Sequence, residues 1–504
     1  MERSLSQWRA LVDGCANIAG VTAEDRTLEP SESELRAYVE RALERVLGHL
    51  SSLPFQPSAD VEGGAELARS LVEPLPETGR PYEEVLDLLF DRAIPKSFNT
   101  AGPGYLAYIP GGGVPLAAVA DFIADSVNRY VGVWLAAPAL VQLETNVVRW
   151  FCDIVGYPHS AGGFLTTGGS YSNLSALITA RRELLGDDLR QGTLYASDQT
   201  HHSVQKAALL AGLPAANVRD VPTDGRFRLR VDELARLVEA DRARGLTPFF
   251  VAGNAGTTNT GAVDDLDAIA ELAAKERLWL HVDGAYGGFF MMTEEGRRVM
   301  AGIERADSIA LDPHKGLFLP YGLGALLCRD AGALKRAHSV HAAYLPQMRE
   351  GEEFVDFCEI SPELSRDFRG LRAWLPFQVY GAAPFRRNLE EKLELTRWAT
   401  EELRKLPEVE ILAEPQLSIV AFRLRGKGEE GAALDALNHR FMAAVNARKR
   451  VYLTGTTLPA GFAVRICVLS FRTHKERMEM ALEDIRAAIR EVLTSAADRP
   501  RTGS

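Results

Sequence analysis

The stretch from residue 247 to residue 286 decides the fold class of this chain. It reads TPFFVAGNAG (247–256), then DDLDAIAELAAKE (264–276), then RLWLHVDGAY (277–286). The first and third segments contain short runs that are apolar throughout, and the second has apolar residues at helical spacing. Strands without polar alternation are buried on both faces, so the pattern predicts an α/β fold with a mainly parallel sheet.

The same alternation continues through the strand-like segments DSIALD (307–312) and GALLCRD (324–330). Before it, SESELRAYVERALERVLGHL (31–50) shows helical spacing behind a Ser/Glu-rich start that resembles a capping signal. After it, strands are predicted near LSIVAFRL, RVYLTG and FAVRICVLS, with EDIRAAIREVL as a final helix. We therefore predict an N-terminal helical segment at 1–95, a large α/β domain at 96–385, a small α+β domain at 386–494 and a disordered tail at 495–504.

Composition excludes several classes of function. Of the 504 residues, 46% are hydrophobic and 25% are charged, which is ordinary for a soluble globular protein. The net charge is −11 and basic residues form no long run, so no nucleic-acid partner is expected. The sequence has no signal-peptide pattern and no long uncharged apolar stretch, which predicts a cytoplasmic protein without a membrane partner. Its 5 cysteines are scattered without a CxxC pair, which argues against a disulfide framework or a metal site.

Three polar clusters fall just after predicted strands, where α/β proteins bind ligands. In TTGGSYSN (166–173), Gly168 and Gly169 permit close backbone approach, Ser170 can cap the following helix, and the helix N-terminus offers N–H groups to an anion. Considered alone, such a Gly-Gly-Ser cluster is more often a plain loop and cap than a phosphate site. In HVDGAYGG (281–288), Asp283 is either a structural hydrogen-bond acceptor or the partner of a cationic ring nitrogen.

The third cluster is LDPHKGLFLPYG (311–322), which places Lys315 among apolar residues. A lysine there is either a surface residue with a partly buried stem or an amine kept neutral for chemistry. A phosphate clamp, an anion for a ring nitrogen and a lysine amine for a Schiff base are together what pyridoxal 5′-phosphate requires. The three clusters therefore predict this cofactor.

Five segments carry a resemblance to a known family. YASDQTHHSVQKA (195–207), HVDGAYGG, DPHKG (312–316), LAYIPGGGVP (106–115) and LETNVVRWFCDIVGYP (143–158) resemble the group II pyridoxal-phosphate-dependent amino-acid decarboxylases, such as aromatic amino-acid, glutamate and histidine decarboxylases. The resemblance implies fold type I of the pyridoxal-phosphate-dependent transferases and an obligate homodimer with the active site at the subunit interface. It further implies that an L-amino acid loses its α-carboxylate through a Schiff base and a quinonoid intermediate, giving an amine and CO2.

Motif positions carry family roles onto individual residues. By this resemblance Lys315 forms the Schiff base, Asp283 holds the protonated ring nitrogen, Ala285 packs against the ring and the His201 imidazole stacks on its face. Further cofactor contacts are implied at Gly169, Ser170, Asn254, Asp312 and His314. Asp312 stands where the family usually has asparagine, and Asn254 where it often has threonine. His202 is interpreted as structural.

The chain also departs from the family. The mobile-loop tyrosine that protonates the carbanion aligns with Phe357, which has no proton to donate; in plant relatives phenylalanine there goes with oxidative deamination to an aldehyde. Tyr344 or His202 is the alternative proton donor. On the substrate side Tyr108 is retained, whereas Thr100, Gly111 and Gly132 replace bulky residues, so aromatic specificity does not carry over. Arg465 aligns with an arginine near the substrate end, and serves either an acidic substrate or a structural ion pair.

Two other classes of function remain open from the sequence. The chain is either an active decarboxylase or an inert homologue that serves as a binding subunit, although the set Lys315, Asp283 and His201 favours an enzyme. An aminotransferase or a cysteine desulfurase of the same fold type is the further alternative, which the DPHKG and DQTHHSV segments disfavour.

Overall fold

The structure is a computed structural model that describes residues 28–186, 188–340, 351 and 354–497. The described residues divide into two compact units, of which the first ends at Ser97 and the second comprises Gln56–Asp60 and the residues from Phe98 onward. The domain boundaries predicted at residues 95, 385 and 494 stay predictions. The predicted tail falls mostly outside the described residues, and the last helix continues to Ala497.

The first unit is helical, as its apolar spacing predicts. Ser31 caps its longest helix, because the Ser31 hydroxyl accepts from the Glu34 N–H while the Glu34 carboxylate accepts from the Ser31 N–H. This reciprocal arrangement is the predicted capping signal. The described helices of this unit are α1 (Glu32–Ser52), α2 (Gly64–Ser70) and α3 (Tyr82–Asp87), followed by a π-helical turn at Leu88–Ala93.

The second unit contains a large sheet of seven strands, in the order β1-β7-β6-β5-β4-β2-β3. Strand β7 is antiparallel to both neighbours and the other pairs are parallel, so the predicted mainly parallel sheet is confirmed. Its strands are β1 (Gly162–Thr166), β2 (Gly192–Ser197), β3 (Val218–Val221), β4 (Thr247–Asn254), β5 (Trp279–Gly284), β6 (Ser308–Leu311) and β7 (Gly324–Cys328).

Helices cover this sheet and bury its apolar runs. Every residue of β5, β6 and β7 is buried, which is why those segments carry no polar alternation. Cys152 and Cys328 are buried free thiols. The helices are α4 (Pro115–Val127), α5 (Pro138–Ile154), α6 (Gly169–Leu184), α7 (His202–Leu210), α8 (Val231–Ala243), α9 (Leu266–Glu276), α10 (Glu294–Val299), α11 (Pro313–Gly316), α12 (Ala331–His338), α13 (Phe357–Ile360) and α14 (Gly370–Tyr380).

A smaller antiparallel sheet follows, in the order β10-β11-β9-β8. Three of its strands were expected, although the one predicted at RVYLTG begins only at Thr454; the strand at Val409–Ala413 was missed. Among the described residues no helix is both long and apolar enough to span a membrane. The elements are α15 (Ala382–Arg404), β8 (Val409–Ala413), β9 (Ile419–Leu424), α16 (Gly431–Asn446), β10 (Thr454–Leu458), β11 (Gly461–Cys467) and α17 (Lys475–Ala497).

The carboxyl ends of β4, β5 and β6 meet at one edge of the large sheet. Asn254 pairs in register with Asp283, and Gly284 with Leu311. Helix α11 begins directly after β6 and carries Lys315. Asp283 and Lys315 therefore lie at the same sheet edge, as their positions after neighbouring strands predicted.

Candidate active site

A cavity of about 250 Å³ opens at this edge of the sheet. It brings together all of the predicted cofactor contacts except Asn254. The lining residues are Thr167, Gly168, Gly169, Ser170, Tyr171, Asn173, His201, Ser203, Asp283, Ala285, Asp312, His314 and Lys315.

The Gly168–Gly169 turn forms one wall of the cavity and begins helix α6. Gly168 has a backbone φ of 152°, which residues with a side chain rarely adopt. A Cβ on Gly169 would lie 2.9 Å from Ala285 Cβ, which is too close for two carbon atoms. The glycines thus let the turn close onto β5. The Tyr171 N–H donates to the Gly168 carbonyl at 2.9 Å, whereas the N–H groups of Gly169 and Ser170 have no acceptor among the described residues. Gly168, not Ser170, occupies the N-cap position, so the predicted capping role of Ser170 is wrong. Within the described part of the chain the Ser170 N–H has no acceptor, so it can bind an anion such as a phosphate.

Lys315 is held by an ion pair on its own helical turn. Its Nζ lies 2.9 Å from Asp312 Oδ2, and the other oxygen, Oδ1, is buried without a hydrogen-bond partner among the described residues. Burial by itself lowers the pKa of the Lys315 ammonium, but the Asp312 carboxylate outweighs this and the pKa lies above its ordinary value. In this structure the amine is therefore a paired ammonium rather than a neutral group.

Asp283 is a fixed and almost fully buried carboxylate at the end of β5. It is 8% exposed. Its Oδ1 accepts from the Ala285 N–H at 3.1 Å and its Oδ2 from the Asn173 side-chain amide at 3.0 Å. Such an oriented anion is what a protonated ring nitrogen would need.

His201 also lines the cavity, and it is the N-cap residue of helix α7. Its Nδ1 accepts from the Ser203 N–H and lies 2.8 Å from Ser203 Oγ, so the ring is held by the helix it caps. Burial lowers the pKa of His201. The exposed ring of His202 lies with its centroid 4.1 Å from that of His201.

His314 lies beside the Gly168–Gly169 turn. Its Nδ1–H donates to the Leu323 carbonyl at 2.6 Å, and its Nε2 lies 3.7 Å from Asp312 Oδ2. Burial lowers the pKa of His314, although the neighbouring Asp312 carboxylate opposes the shift. The contact near a phosphate that the resemblance implied for His314 stays a prediction.

Asn254 is buried and does not line the cavity. Its side-chain amide donates to Asp264 Oδ2 at 2.8 Å and to Thr200 Oγ1 at 3.1 Å. Complete burial raises the pKa of Asp264 to about 6, although N–H donors from Leu229 and Asn254 oppose the shift. Asn254 therefore supports the segment that precedes His201 rather than lining the cavity.

Arg465 is a buried cation that has no acidic partner among the described residues. It is 3% exposed. Its guanidinium donates to the Tyr108 carbonyl and to Thr454 Oγ1, both at 3.2 Å, and its Nε has no partner among the described residues. Burial lowers its pKa. Within the described part of the chain the structural ion pair that was one alternative for Arg465 is not found, and Tyr108 itself has a left-handed backbone with φ 49°.

Three substrate-side predictions are not supported by the geometry. A Cβ on Gly111 would lie 2.1 Å from the His314 carbonyl oxygen, and one on Gly132 would lie 2.7 Å from that of Leu364. These glycines are required by close backbone packing and do not widen a pocket. Thr100 is half-buried in a turn and does not line the cavity.

The structure does not place either of the two aromatic residues considered for proton transfer, Phe357 and Tyr344, at the cavity. Phe357 is 1% exposed and packs under the Arg366 guanidinium, 4.5 Å from its ring centroid, and it does not line the cavity. Tyr344 lies outside the described residues. Their roles in proton transfer therefore stay predictions.

Asn173 and Ser203 are site residues that sequence reasoning missed. Asn173 follows Gly169 by one helical turn on α6, which places both on the same face of the helix. A buried asparagine inside a helix is itself a signal, because its amide must find partners there. The donor set of the cavity fits the cofactor: free N–H groups for a phosphate, a lysine amine, and an oriented carboxylate.

Comparisons with known proteins show the family of the chain. A family model described as "Pyridoxal-dependent decarboxylase conserved domain" matches residues 73–425. An aromatic-L-amino-acid decarboxylase of Bacillus atrophaeus is 34% identical, over 93% of this chain and 98% of that protein. A tryptophan decarboxylase of Camptotheca acuminata is 30% identical, over 93% and 97%. The crystal structure of Oryza sativa TDC with PLP and tryptamine superposes with a TM-score of 0.87 at 27% identity, covering 92% of this chain and 99% of that one.

Proposed function

The chain belongs to the pyridoxal-dependent decarboxylase family and is a pyridoxal-phosphate-dependent enzyme, and we propose that it converts an L-amino acid into the corresponding amine and CO2. The observation that carries the proposal is the convergence of Lys315, Asp283 and His201 on one cavity beside a glycine turn and a helix N-terminus. An inert binding subunit would have no need of this convergence.

Each of these groups has a distinct task in the proposed reaction. When bound, pyridoxal 5′-phosphate supplies an aldehyde for an amine and a ring that accepts the electron pair left by the departing carboxylate. The N–H groups of Gly169 and Ser170 would hold the phosphate. Asp283 would pair with the ring nitrogen and keep its proton in place, Ala285 and His201 would contact the ring, and the Lys315 amine would bind the aldehyde group of the cofactor.

Asp312 sets the charge state of that amine. The Asp312 carboxylate lies 2.9 Å from the Lys315 Nζ and stabilises its ammonium form. This ion pair would have to break before the amine could react with the aldehyde of the cofactor. Lys315 attacks only as a neutral amine, and a pKa above the ordinary value makes that form scarce at neutral pH. Loading of the cofactor should therefore speed up as the pH rises.

We infer that the substrate side includes an anion-binding group. Arg465 is buried, carries no carboxylate partner in the described part of the chain, and has a free Nε. An uncompensated buried cation is costly, and a substrate carboxylate would relieve the cost. Several relatives act on aromatic amino acids by name. An acidic amino acid and an aromatic one whose α-carboxylate meets Arg465 are therefore the two substrate classes to compare.

The proton that completes the amine must come from a group other than Phe357, since its side chain is buried and lacks an acidic hydrogen. The exposed His202 imidazole, in contact with His201, is one candidate. The phenylalanine at position 357 is the feature that favours the aldehyde-forming reaction, and no further contact among the described residues adds to it.

The test is to incubate the cofactor-loaded protein in air with each proteinogenic L-amino acid and to record CO2 and hydrogen peroxide together. We expect CO2 without peroxide, and turnover of either the acidic or the aromatic group of substrates. CO2 with an equal amount of peroxide would replace the proposal by the aldehyde-forming reaction. Transfer of the amino group to a keto acid without CO2 would place the chain among aminotransferases.

We also propose that the protein is a homodimer. In the first unit, helix α1 buries none of its side chains, and Leu35 and Leu43 on one of its faces are each 50% exposed. In the second unit, Val119 and Phe122 of α4 lie one turn apart and are 49% and 53% exposed. Exposed apolar side chains that lie together on one helix face are typical of surfaces that a partner covers.

Light scattering on the full-length protein should give twice the mass of one chain. Charged substitutions on the apolar face of α1, Leu35→Lys with Leu43→Lys, should yield a folded monomer. Glu40→Lys lies on the same helix outside the apolar face and is the matched control, for which the dimer should persist. A wild-type monomer, or an unchanged dimer in the double variant, would contradict this role of α1.

A further inference from the structure

A chain of buried polar side chains runs behind the cavity, inside an otherwise apolar core. It starts on β5, where Trp279, His281 and Asp283 alternate onto one face of the sheet. Trp279 Nε1–H donates to Ser308 Oγ at 2.8 Å, and that hydroxyl lies 2.9 Å from His281 Nδ1. His281 Nε2 lies 2.9 Å from Asn173 Oδ1.

Asn173 branches this chain toward both sides of the cavity. One side-chain amide hydrogen is donated to Asp283 Oδ2 at 3.0 Å and the other to Ser203 Oγ at 2.9 Å. Ser203 Oγ in turn lies 2.8 Å from His201 Nδ1. The carboxylate on which the cofactor ring nitrogen would rest and the imidazole that would face the ring are thus joined through a single amide.

The direction of each hydrogen bond in this series of side chains follows from the groups at its two ends, the Trp279 indole and the Asp283 carboxylate. An indole N–H only donates and a carboxylate only accepts, so the Asn173 nitrogen faces Asp283 and its oxygen faces His281. His281 must then carry its proton on Nε2, and Nδ1 accepts from the Ser308 hydroxyl. Burial lowers the pKa of His281 to about 4, so the ring is neutral at neutral pH, as this arrangement requires.

The same logic fixes the outer histidine. The Ser203 backbone N–H donates to His201 Nδ1. A backbone N–H cannot accept, so Nδ1 must be the unprotonated nitrogen and the proton of neutral His201 lies on Nε2. With both of its amide hydrogens donated, Asn173 leaves the Ser203 hydroxyl hydrogen free to strengthen this bond.

We propose that Asn173 is a positioning residue that holds the Asp283 carboxylate and the Ser203–His201 pair in one hydrogen-bonded arrangement, with the His201 proton on Nε2. His201 then presents a donor, and no acceptor, to the cavity. Neutral His201 in this form can hold a substrate carboxylate oxygen but cannot remove a proton from the substrate. The roles of Asp283 and His201 rest on the proposed function, whereas the tautomer and the bonding of Asn173 do not.

The tautomer is measured directly on full-length protein labelled with ¹⁵N-histidine, with and without bound pyridoxal 5′-phosphate. Long-range ¹H–¹⁵N correlations distinguish protonated from unprotonated ring nitrogens, and His201→Gln assigns the signal. We expect His201 protonated on Nε2 in both states. A proton on Nδ1 in the wild-type protein would overturn the proposal, whatever reaction the enzyme is found to catalyse.

The role of Asn173 is tested with the nearly isosteric Asn173→Asp and with Asn173→Ala. Both remove the two donated hydrogens, so both should shift the visible absorbance of the bound cofactor and lower kcat by about tenfold to a hundredfold, with a smaller change in KM. If Asn173 only filled space, Asn173→Asp would match the wild type in spectrum and in kcat, and the proposal would be wrong.

The matched control is Asn438→Asp in the smaller sheet region. Asn438 is also fully buried, and its amide donates to the Leu424 and Leu434 carbonyls. This variant should lower the melting temperature without moving the cofactor absorbance. An equal spectral shift in Asn438→Asp would show that the shift reports on general destabilisation and would overturn the assignment to Asn173.

Discussion

Lys315→Ala is expected to abolish turnover, with kcat lower on the order of 10³-fold or more, and to remove the yellow colour of the loaded protein. The physical reason is that the aldehyde of the cofactor loses the amine to which it binds, so neither loading nor release of product is assisted. Absorbance spectra and CO2 release on the purified variant measure both effects. Retained colour with wild-type turnover would exclude Lys315 as the amine.

Loss of fold must be separated from loss of chemistry in this variant. Lys315→Ala leaves the Asp312 carboxylate buried without its ion-pair partner at 2.9 Å, which costs about 3–5 kcal/mol of stability. Lys315→Ala combined with Asp312→Asn removes the uncompensated charge and should regain much of the melting temperature while staying colourless and inactive. Lys392→Met, at a fully buried lysine outside the cavity, should lose stability but keep the colour.

Asp283→Asn is expected to lower kcat by about 10²–10³-fold while leaving most of the cofactor bound. The substitution keeps the shape of the side chain and removes its charge, so the ring nitrogen loses the anion that holds its proton. Phosphate and lysine contacts are unchanged, which is why rate should suffer more than loading. Kinetics and cofactor titration on the same preparation give the two numbers.

Asp241→Asn is the matched control for Asp283→Asn. Asp241 is also buried, and its carboxylate accepts from Arg219 at 2.7 Å and from the Tyr195 hydroxyl at 2.8 Å, away from the cavity. We expect a lower melting temperature and an unchanged kcat. A kcat for Asp283→Asn within about threefold of wild type would mean that this carboxylate does not stabilise the reacting ring.

The parts of the site that could be predicted from sequence lie directly at strand ends. Asp283 and Lys315 each follow an apolar run, and parallel strands bring their carboxyl ends to one edge, so local pattern and sheet topology suffice to place them together. The glycine turn before α6 was predictable for the same reason. The glycine turn for a phosphate, the Asp283 carboxylate and the Lys315 amine were thus predicted from the sequence.

Predictions failed where a residue type had two physical explanations. Gly111 and Gly132 were interpreted as space for substrate, yet each is a glycine because a carbonyl oxygen from a distant segment lies where its Cβ would be. Ser170 has the chemistry of a cap, but the turn closes one residue earlier and Gly168 takes that position. Sequence pattern does not report which backbone approaches from elsewhere in the chain.

Fold class, cofactor and the sheet edge that carries the chemistry followed from the amino-acid sequence, because hydrophobic periodicity is a local property that regular geometry extends to the whole sheet. The hydrogen-bond partners of the site residues became known from the three-dimensional structure. The bonds of the Arg465 guanidinium to Tyr108 and Thr454, and those of the Asn173 amide to Asp283 and Ser203, depend on groups from separate elements meeting at about 3 Å. Contacts of that precision are set by packing, which no run of residues encodes alone.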